Sequence, residues 1–324
     1  MEAPKLTAAR RRAPQRAFAG HGRRVSLPHW VRATITIDAR ETPVFREDLL
    51  TGKTVLVTGG GSGLGLSMSK RFAALGANVA ITGRSAERLE KAAGEISADA
   101  ARVATVSCDV RDPAAVDAMV AEVTQRFGGI DVLVNNAAGN FLAATEDLTP
   151  NGFNAVVQTV LYGTFHATLA VGRGMIERKA GGSILNIVTT YAWTGSAFVV
   201  PSAAAKAGVL AMTRSLAVEW AEYGIRSNAI APGPFPTEGA WNALMPTPEL
   251  EAEAKARIPM GRFGRHEELA DLAVFLSSDG AAYINGECVV IDGGEWIGSG
   301  GEFNGLIRMP RAMVKGALKA MRGK

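Results

Sequence analysis

The stretch TTYAWTGSAFVVPSAAAK, residues 189–206, brings together a phenol, a hydroxyl and an amine. Its second half reads as the start of a helix that continues through AGVLAMTRSLAVEW. Proline pre-sets the backbone angle of a first helical turn, and the alanines that follow Pro201 have the best helix propensity. Ser202 and Lys206, four residues apart, then share one helix face. Upstream, SILNIVTT is an apolar run of strand length ending in hydroxyl residues, and Tyr191 stands just past it. A strand, a phenol at its exit and a helix carrying serine and lysine can surround one bound molecule.

A second constellation lies nearer the N-terminus. The strand-like run TVLVT ends at Thr58, and Gly59, Gly60, Gly61, Ser62, Gly63, Leu64 and Gly65 lead from it into a helical pattern. Glycines there permit a tight turn and let the backbone approach a pyrophosphate, which the helix N-terminus faces with free N–H groups. Strand, glycine loop and helix in this order read as a dinucleotide site. After the next strand comes Gly83-Arg84-Ser85, without the acid that usually holds the ribose hydroxyls of NAD. Arg84 is either a partner for a 2′-phosphate or a surface arginine at a helix start. Asp109, in CDVRD, either bonds the adenine or caps the following helix.

The elements that must hold these residues are regular. TVLVT, NVAIT, RVATVS, IDVLV, SILNIV, IRSNAI and ECVVI read as strands, separated by amphipathic helical stretches such as PAAVDAMVAEVTQRFG. Strand alternating with helix indicates an α/β fold, a doubly wound parallel sheet with helices on both faces. With 324 residues and no internal repeat or linker in the middle, the chain reads as one domain over residues 46–296. Residues 1–45 read as a basic N-terminal segment and residues 297–324 as a basic C-terminal tail. The least regular part, 235–265, contains Pro246, Pro248 and Pro259 and has the character of an insert that closes over a ligand.

Composition excludes several classes. The net charge of +4 is unevenly placed: residues 1–32 hold eight Lys/Arg against one acid, and the remainder is about −3. A nucleic-acid-binding face on the folded part is therefore not expected. No uncharged apolar run is long enough to span a bilayer. Cys108 and Cys288 give neither a disulfide framework nor metal spacing and read as small core residues. Residues 1–32 lack the apolar segment of a secretory signal. They read as a disordered arm, as sequence upstream of the true start, or as a mitochondrial transit peptide. The protein is accordingly expected in the cytoplasm, or in the mitochondrial matrix if the segment is a transit peptide.

Taken together, TGGGSGLG, CDV, NNAAG (135–139), the lysine helix, Pro232-Gly233 and the DGG at 292–294 resemble the short-chain dehydrogenase/reductase family over residues 50–295. The resemblance implies a seven-stranded Rossmann sheet, hydride transfer with NADP(H) or NAD(H), and homotetramers. It also implies cofactor contacts from Val110, Asn136, Pro232, Gly233, Pro234 and Phe235. The sequence departs from most members in the catalytic motif. The usual tyrosine position is Ser202, the serine thirteen residues earlier is Thr189, and the asparagine of the long preceding helix is Val160. This pattern resembles one branch, the mitochondrial-type 2,4-dienoyl-CoA reductases, as do Asn140-Phe141 after NNAAG and GEFN at 301–304.

That branch implies an NADPH-dependent reduction of an acyl-CoA substrate. Tyr191 and Asn140 would donate to the thioester oxygen, Lys206 would hold the nicotinamide ribose, and Ser202 would steady the network. Arg111 and Phe141 would contact substrate. A second CoA-contacting arginine of the branch falls at Ala243, leaving Arg257, Arg262 or Arg265 as substitutes. The blander readings make Tyr191 a loop aromatic and Asn140 a turn residue. Two further functions stay open: a carbonyl reductase that uses Tyr191 as its acid, and a silent NADP-binding protein.

Overall fold

Seven parallel strands order themselves β3-β2-β1-β4-β5-β6-β7. They are β1 (Thr54–Thr58), β2 (Asn78–Gly83), β3 (Val103–Ser107), β4 (Val132–Asn135), β5 (Gly182–Ile187), β6 (Ile225–Pro232) and β7 (Cys288–Ile291). The structure, a computed structural model, describes residues 44–237 and 247–322. The expected N-terminal segment therefore lies almost wholly outside the described residues, as do Ala243 and Pro246. Every residue of β1 is buried, as a strand covered on both faces must be, and its apolar run has no polar alternation for that reason.

Between strands run α1 (Gly63–Ala74), α2 (Ala86–Ile96), α3 (Pro113–Phe127), α4 (Pro150–Val157), α5 (Gly163–Arg178), α6 (Tyr191–Thr194) and α7 (Val200–Glu219). After β6 come α8 (Pro248–Arg257) and α9 (His266–Ser277), and after β7 come α10 (Glu295–Gly300) and α11 (Arg311–Met321). On one face of the sheet, Met119 and Val123 of α3 and Ala167, Val171 and Met175 of α5 pack on Leu56, Leu133 and Ile184. Each fully buried side chain of that size contributes about 1.5–3 kcal/mol, so this layer sets the sheet's position. Helices α1 and α9 pack together elsewhere in the body.

Helices α4 and α5 form one run, joined by a π-helical turn at Gln158–Tyr162. That run, Pro150–Arg178, has the length and hydropathy of a membrane span, but α4 packs on α7 and α5 on α3 and β4, so it is a core helix of the body. Val160, in the middle of the π turn, is completely buried. Cys108 is buried, whereas Cys288 on the edge strand is only half-buried, which corrects the expectation that both sit in the core.

The chain reverses its direction of winding between β1 and β4, where Val57 pairs with Val134. A ligand crevice forms at such a switch point, beyond the carboxyl ends of the strands. The glycine loop and residues 136–143 leave the sheet there side by side.

Candidate active site

At the end of β1 the Thr58 hydroxyl accepts hydrogen bonds from the Asn136 and Ala137 N–H groups, each at 3.0 Å. Asn136 returns the tie, its Nδ2 donating to the carbonyls of Thr58 (3.1 Å) and Gly59 (3.2 Å). These two residues therefore fix the glycine loop against the adjacent strand exit. Gly59 is left-handed, at φ 66°. A Cβ on Gly65 would stand 2.3 Å from the Gly59 carbonyl oxygen, so only glycine allows α1 to start this close to the turn. Ser62, at the N-cap, spends no side-chain hydrogen bond on α1. The first N–H groups of α1 are left for an anion, and the helix dipole favours one. Gly60, Gly61, Gly63 and Leu64 complete the turn. A cavity of about 540 Å³ opens beside it, lined by Gly59, Gly61, Ser62, Arg84, Asp109 and Val110 among others. This cradle fits the phosphates and adenosine half of a nicotinamide dinucleotide.

Two arginines border the cavity. Arg84 follows β2 as expected, and Arg88 joins it from the first turn of α2. Ser85 caps that turn by accepting from the Arg88 N–H. Neither arginine forms an ion pair among the described residues. Sequence reasoning missed Arg88; its signal was the spacing of three from a capping serine. Asp109 does not cap the next helix: Asp112 does, accepting from Ala114 and Ala115. Asp109 instead accepts from Arg111 Nε at 2.9 Å, and the Arg111 guanidinium holds its carboxyl below the usual range, with Arg84 adding to the effect. Arg111 remains on the cavity wall with part of its guanidinium exposed. Val110 is buried, and its carbonyl lies 3.0 Å from His166 Nδ1.

On the far side of the switch point the phenol and the lysine helix converge. Tyr191 opens the short helix α6 directly after β5, and its hydroxyl lies 3.1 Å from Ser202 Oγ. Ser202 is buried at the start of α7, where Pro201 also sits. One turn on, Lys206 is buried, and its Nζ donates to the Ile187 carbonyl. Burial pushes its pKa down to about 8. The segment between Tyr191 and Ser202 turns at Gly195 (φ 70°) and at Phe198 (φ 64°). A bulky residue in the left-handed region is strained. The Phe198 carbonyl accepts from the Ala143 N–H at 3.0 Å, which ties this segment to the chain that carries Asn140 and Phe141. Asn140 and Phe141 are exposed, and Asn140 makes no hydrogen bond among the described residues. The fold brings Tyr191, Ser202 and Lys206 together; no hydrogen bond joins Asn140 to Tyr191 among the described residues.

A second cavity of about 520 Å³ adjoins Tyr191. Thr189, Thr190, Pro232, Gly233, Pro234, Glu295 and Trp296 contribute to its wall. Trp296 meets Trp193 edge-on, with ring centroids 5.6 Å apart. Burial raises the pKa of Glu295, an effect that Arg257, 3.7 Å away, opposes. Phe235 is buried, and its ring packs where Gly264 has no side chain. Of the three substitute arginines, Arg262 and Arg265 both pair with Glu268, and Arg257 alone reaches this cavity, through Glu295. The tryptophans and Glu295 were absent from the sequence-based set.

His266, at the start of α9, links the two halves. Its Nε2 donates to the Pro236 carbonyl at 2.6 Å, and its Nδ1 lies 2.8 Å from Ser67 Oγ on α1. The next residue, Thr237, lies over Gly63.

The fold agrees with what the chain resembles. Residues 59–295 match the family model described as Enoyl-(Acyl carrier protein) reductase. A short chain dehydrogenase from Bacillus anthracis superposes with a TM-score of 0.70 at 48% identity, covering 75% of this chain and 96% of that one. Levodione reductase superposes with a TM-score of 0.72 at 37% identity, covering 76% and 99%. The chain belongs to the short-chain dehydrogenase/reductase family, and it is an oxidoreductase with a nicotinamide-cofactor cradle. Within that family it resembles proteins named 2,4-dienoyl-CoA reductases. A Bacillus subtilis protein named "Probable 2,4-dienoyl-CoA reductase, (2E)-enoyl-CoA-producing" is 50% identical over 246 residues, 76% of this chain and 97% of its own length. A Caenorhabditis elegans protein, "Probable 2,4-dienoyl-CoA reductase 3, (3E)-enoyl-CoA-producing", is 43% identical over 258 residues, 78% and 84% of the two chains.

Proposed function

We propose that the protein reduces 2,4-dienoyl-CoA, or a closely related enoyl thioester, to a 3-enoyl-CoA with NADPH, in the oxidation of unsaturated fatty acyl chains. The observation that carries this reading is the displaced phenol. Tyr191 comes from the exit of β5 and donates alongside Ser202, which occupies the helix position where a carbonyl-reducing member has its tyrosine. Val160, buried in the π turn, offers no polar group to complete the usual proton relay.

The bound nicotinamide would supply a hydride to C5 of the dienoyl group. Negative charge then develops on the thioester oxygen, and a donor placed there lowers the barrier. Tyr191 is that donor, held in orientation by Ser202. Asn140, on the segment tied to Phe198, supplies the second donor once substrate fills the cavity. Lys206 holds the ribose hydroxyls and, as a nearby cation, stabilises negative charge shared by the tyrosine and the substrate oxygen. Solvent water would supply the proton that completes the reduction: protonation at C2 leaves the double bond at C3, whereas protonation at C4 leaves it at C2. No alcohol is formed, so no tyrosine is required at position 202. Arg84 and Arg88 supply the charge for a 2′-phosphate, and Arg111 and Phe141 would contact the CoA and the acyl chain, as the resemblance to the branch implies.

The alternative is a carbonyl reductase with Tyr191 as its acid, favoured by the likeness to levodione reductase. Rates of NADPH oxidation with a 2,4-dienoyl-CoA and with simple ketones separate the two. Turnover of ketones alone would overturn the proposal.

A further inference from the structure

Charge is sorted along this chain. Residues 1–32 hold eight Lys/Arg and one acid, residues 306–324 hold six Lys/Arg and no acid, and residues 33–305 hold 21 Lys/Arg against 30 Asp/Glu. A body of net −9 thus carries a strongly basic C-terminal end, and that end is helical. Asn304 fastens it to the body by donating to the carbonyls of Ile297 and Gly298 on α10.

Helix α11 sorts charge a second time, around its own axis. Arg311, Lys315 and Lys319 recur at every fourth residue, and Arg322 falls beside them, so the cations form one narrow edge. Met313, Val314, Ala317, Leu318 and Met321 fill the arc that adjoins this edge on the Leu318 side. Of these only Val314 is buried; Met313, Leu318 and Met321 are 60%, 42% and 82% exposed. None of the four cations forms an ion pair among the described residues. A column of like charges at this spacing destabilises a solvated helix, and an unpaired apolar arc adds nothing to offset it. Both features become favourable at one kind of surface: anionic headgroups take the cations, and the acyl boundary takes the methionine and leucine side chains. With 11 residues the helix is too short to cross a bilayer.

We propose that α11 is an interfacial helix that docks the protein on an anionic lipid bilayer. The inference is independent of the substrate. Packing α11 against the same helix of a second copy would set the two cationic edges near each other, which disfavours self-association through this arc.

The test is co-sedimentation of the full chain with large unilamellar vesicles of phosphatidylcholine alone and of phosphatidylcholine with about a third phosphatidylserine. The full chain should bind the anionic vesicles, bind neutral ones at least about tenfold more weakly, and release in high salt. Lys315→Glu with Lys319→Glu should reduce binding by about tenfold or more. Met313→Ser with Leu318→Ser should also reduce it, although the charge is unchanged. Light scattering and melting temperature confirm that each variant is folded. Absence of binding to anionic vesicles would overturn the proposal. Binding that neither variant changes would overturn it too, because the attachment would then lie elsewhere in the chain. So would a loss of oligomer mass in the apolar variant without any vesicle binding by the parent.

Discussion

Lys206 should make the protein less stable at neutral pH than at high pH, by an amount that can be worked out. The amine is buried in α7 and its pKa falls from 10.5 to about 8 through loss of hydration. The unfolded chain holds that proton more tightly, so stability rises with pH between the two values. At pH 7 both states are protonated, and the folded state carries most of a penalty of about 3 kcal/mol. At pH 10 the folded amine is neutral, and about 1 kcal/mol remains. Lys206→Met removes the titrating group, so the parent should gain about 2–3 kcal/mol relative to the variant on moving from pH 7 to pH 10. Urea denaturation of both proteins at the two pH values measures this, because all other titrations cancel in the difference. Parallel stability curves would refute the assignment of a buried, proton-poor lysine. The functional counterpart is loss of the ammonium: kcat/KM of the free enzyme should decline above pH of about 8.

The remaining predictions concern binding. Arg84→Ala and Arg88→Ala should each raise the KM for NADPH by roughly tenfold or more and leave NADH nearly unaffected, as expected for charge-assisted contacts to one phosphate. The double variant should fall short of the product of the single effects, because both side chains serve the same group. Equal constants for NADPH and NADH in the parent would refute it. His266→Ala removes the ties to Pro236 and Ser67. At about 1 kcal/mol each, the melting temperature should drop by several degrees. The KM for cofactor should rise more than kcat falls, since Thr237 over Gly63 loses its support; an unchanged melting temperature and KM would show that the tie has no consequence.

The sheet was legible because each strand is a continuous apolar run that both layers of helices cover, as in TVLVT. The loop glycines and the Ser202–Lys206 face were legible because their chemistry is set by short spacing. What failed was anything settled by contacts far apart in sequence. Asp109 is the exception, because the cap of α3 was legible locally: Asp112 directly precedes Pro113 at the first helical position, and Asp109 pairs with Arg111 instead. Arg88 becomes a cavity residue through the approach of α2 to the glycine loop. The Trp193–Trp296 contact joins a helix after β5 to one after β7, and no local pattern encodes it. Phe198 adopts a conformation that its residue type disfavours, which a reading of propensities would place elsewhere. The π turn at Val160 likewise leaves no signature in a helical run with no proline after its first residue.

The central claim is that two donors, Tyr191 and Asn140, serve a thioester oxygen. It is tested most directly by the rate of NADPH oxidation in Asn140→Ala, with a 2,4-dienoyl-CoA and with a simple ketone, beside Tyr191→Phe. Loss of one oxyanion donor should lower dienoyl turnover by roughly 10²–10³ in either variant, while Asn140→Ala leaves any ketone activity nearly intact. Full dienoyl-CoA turnover by a correctly folded Asn140→Ala protein would contradict the account.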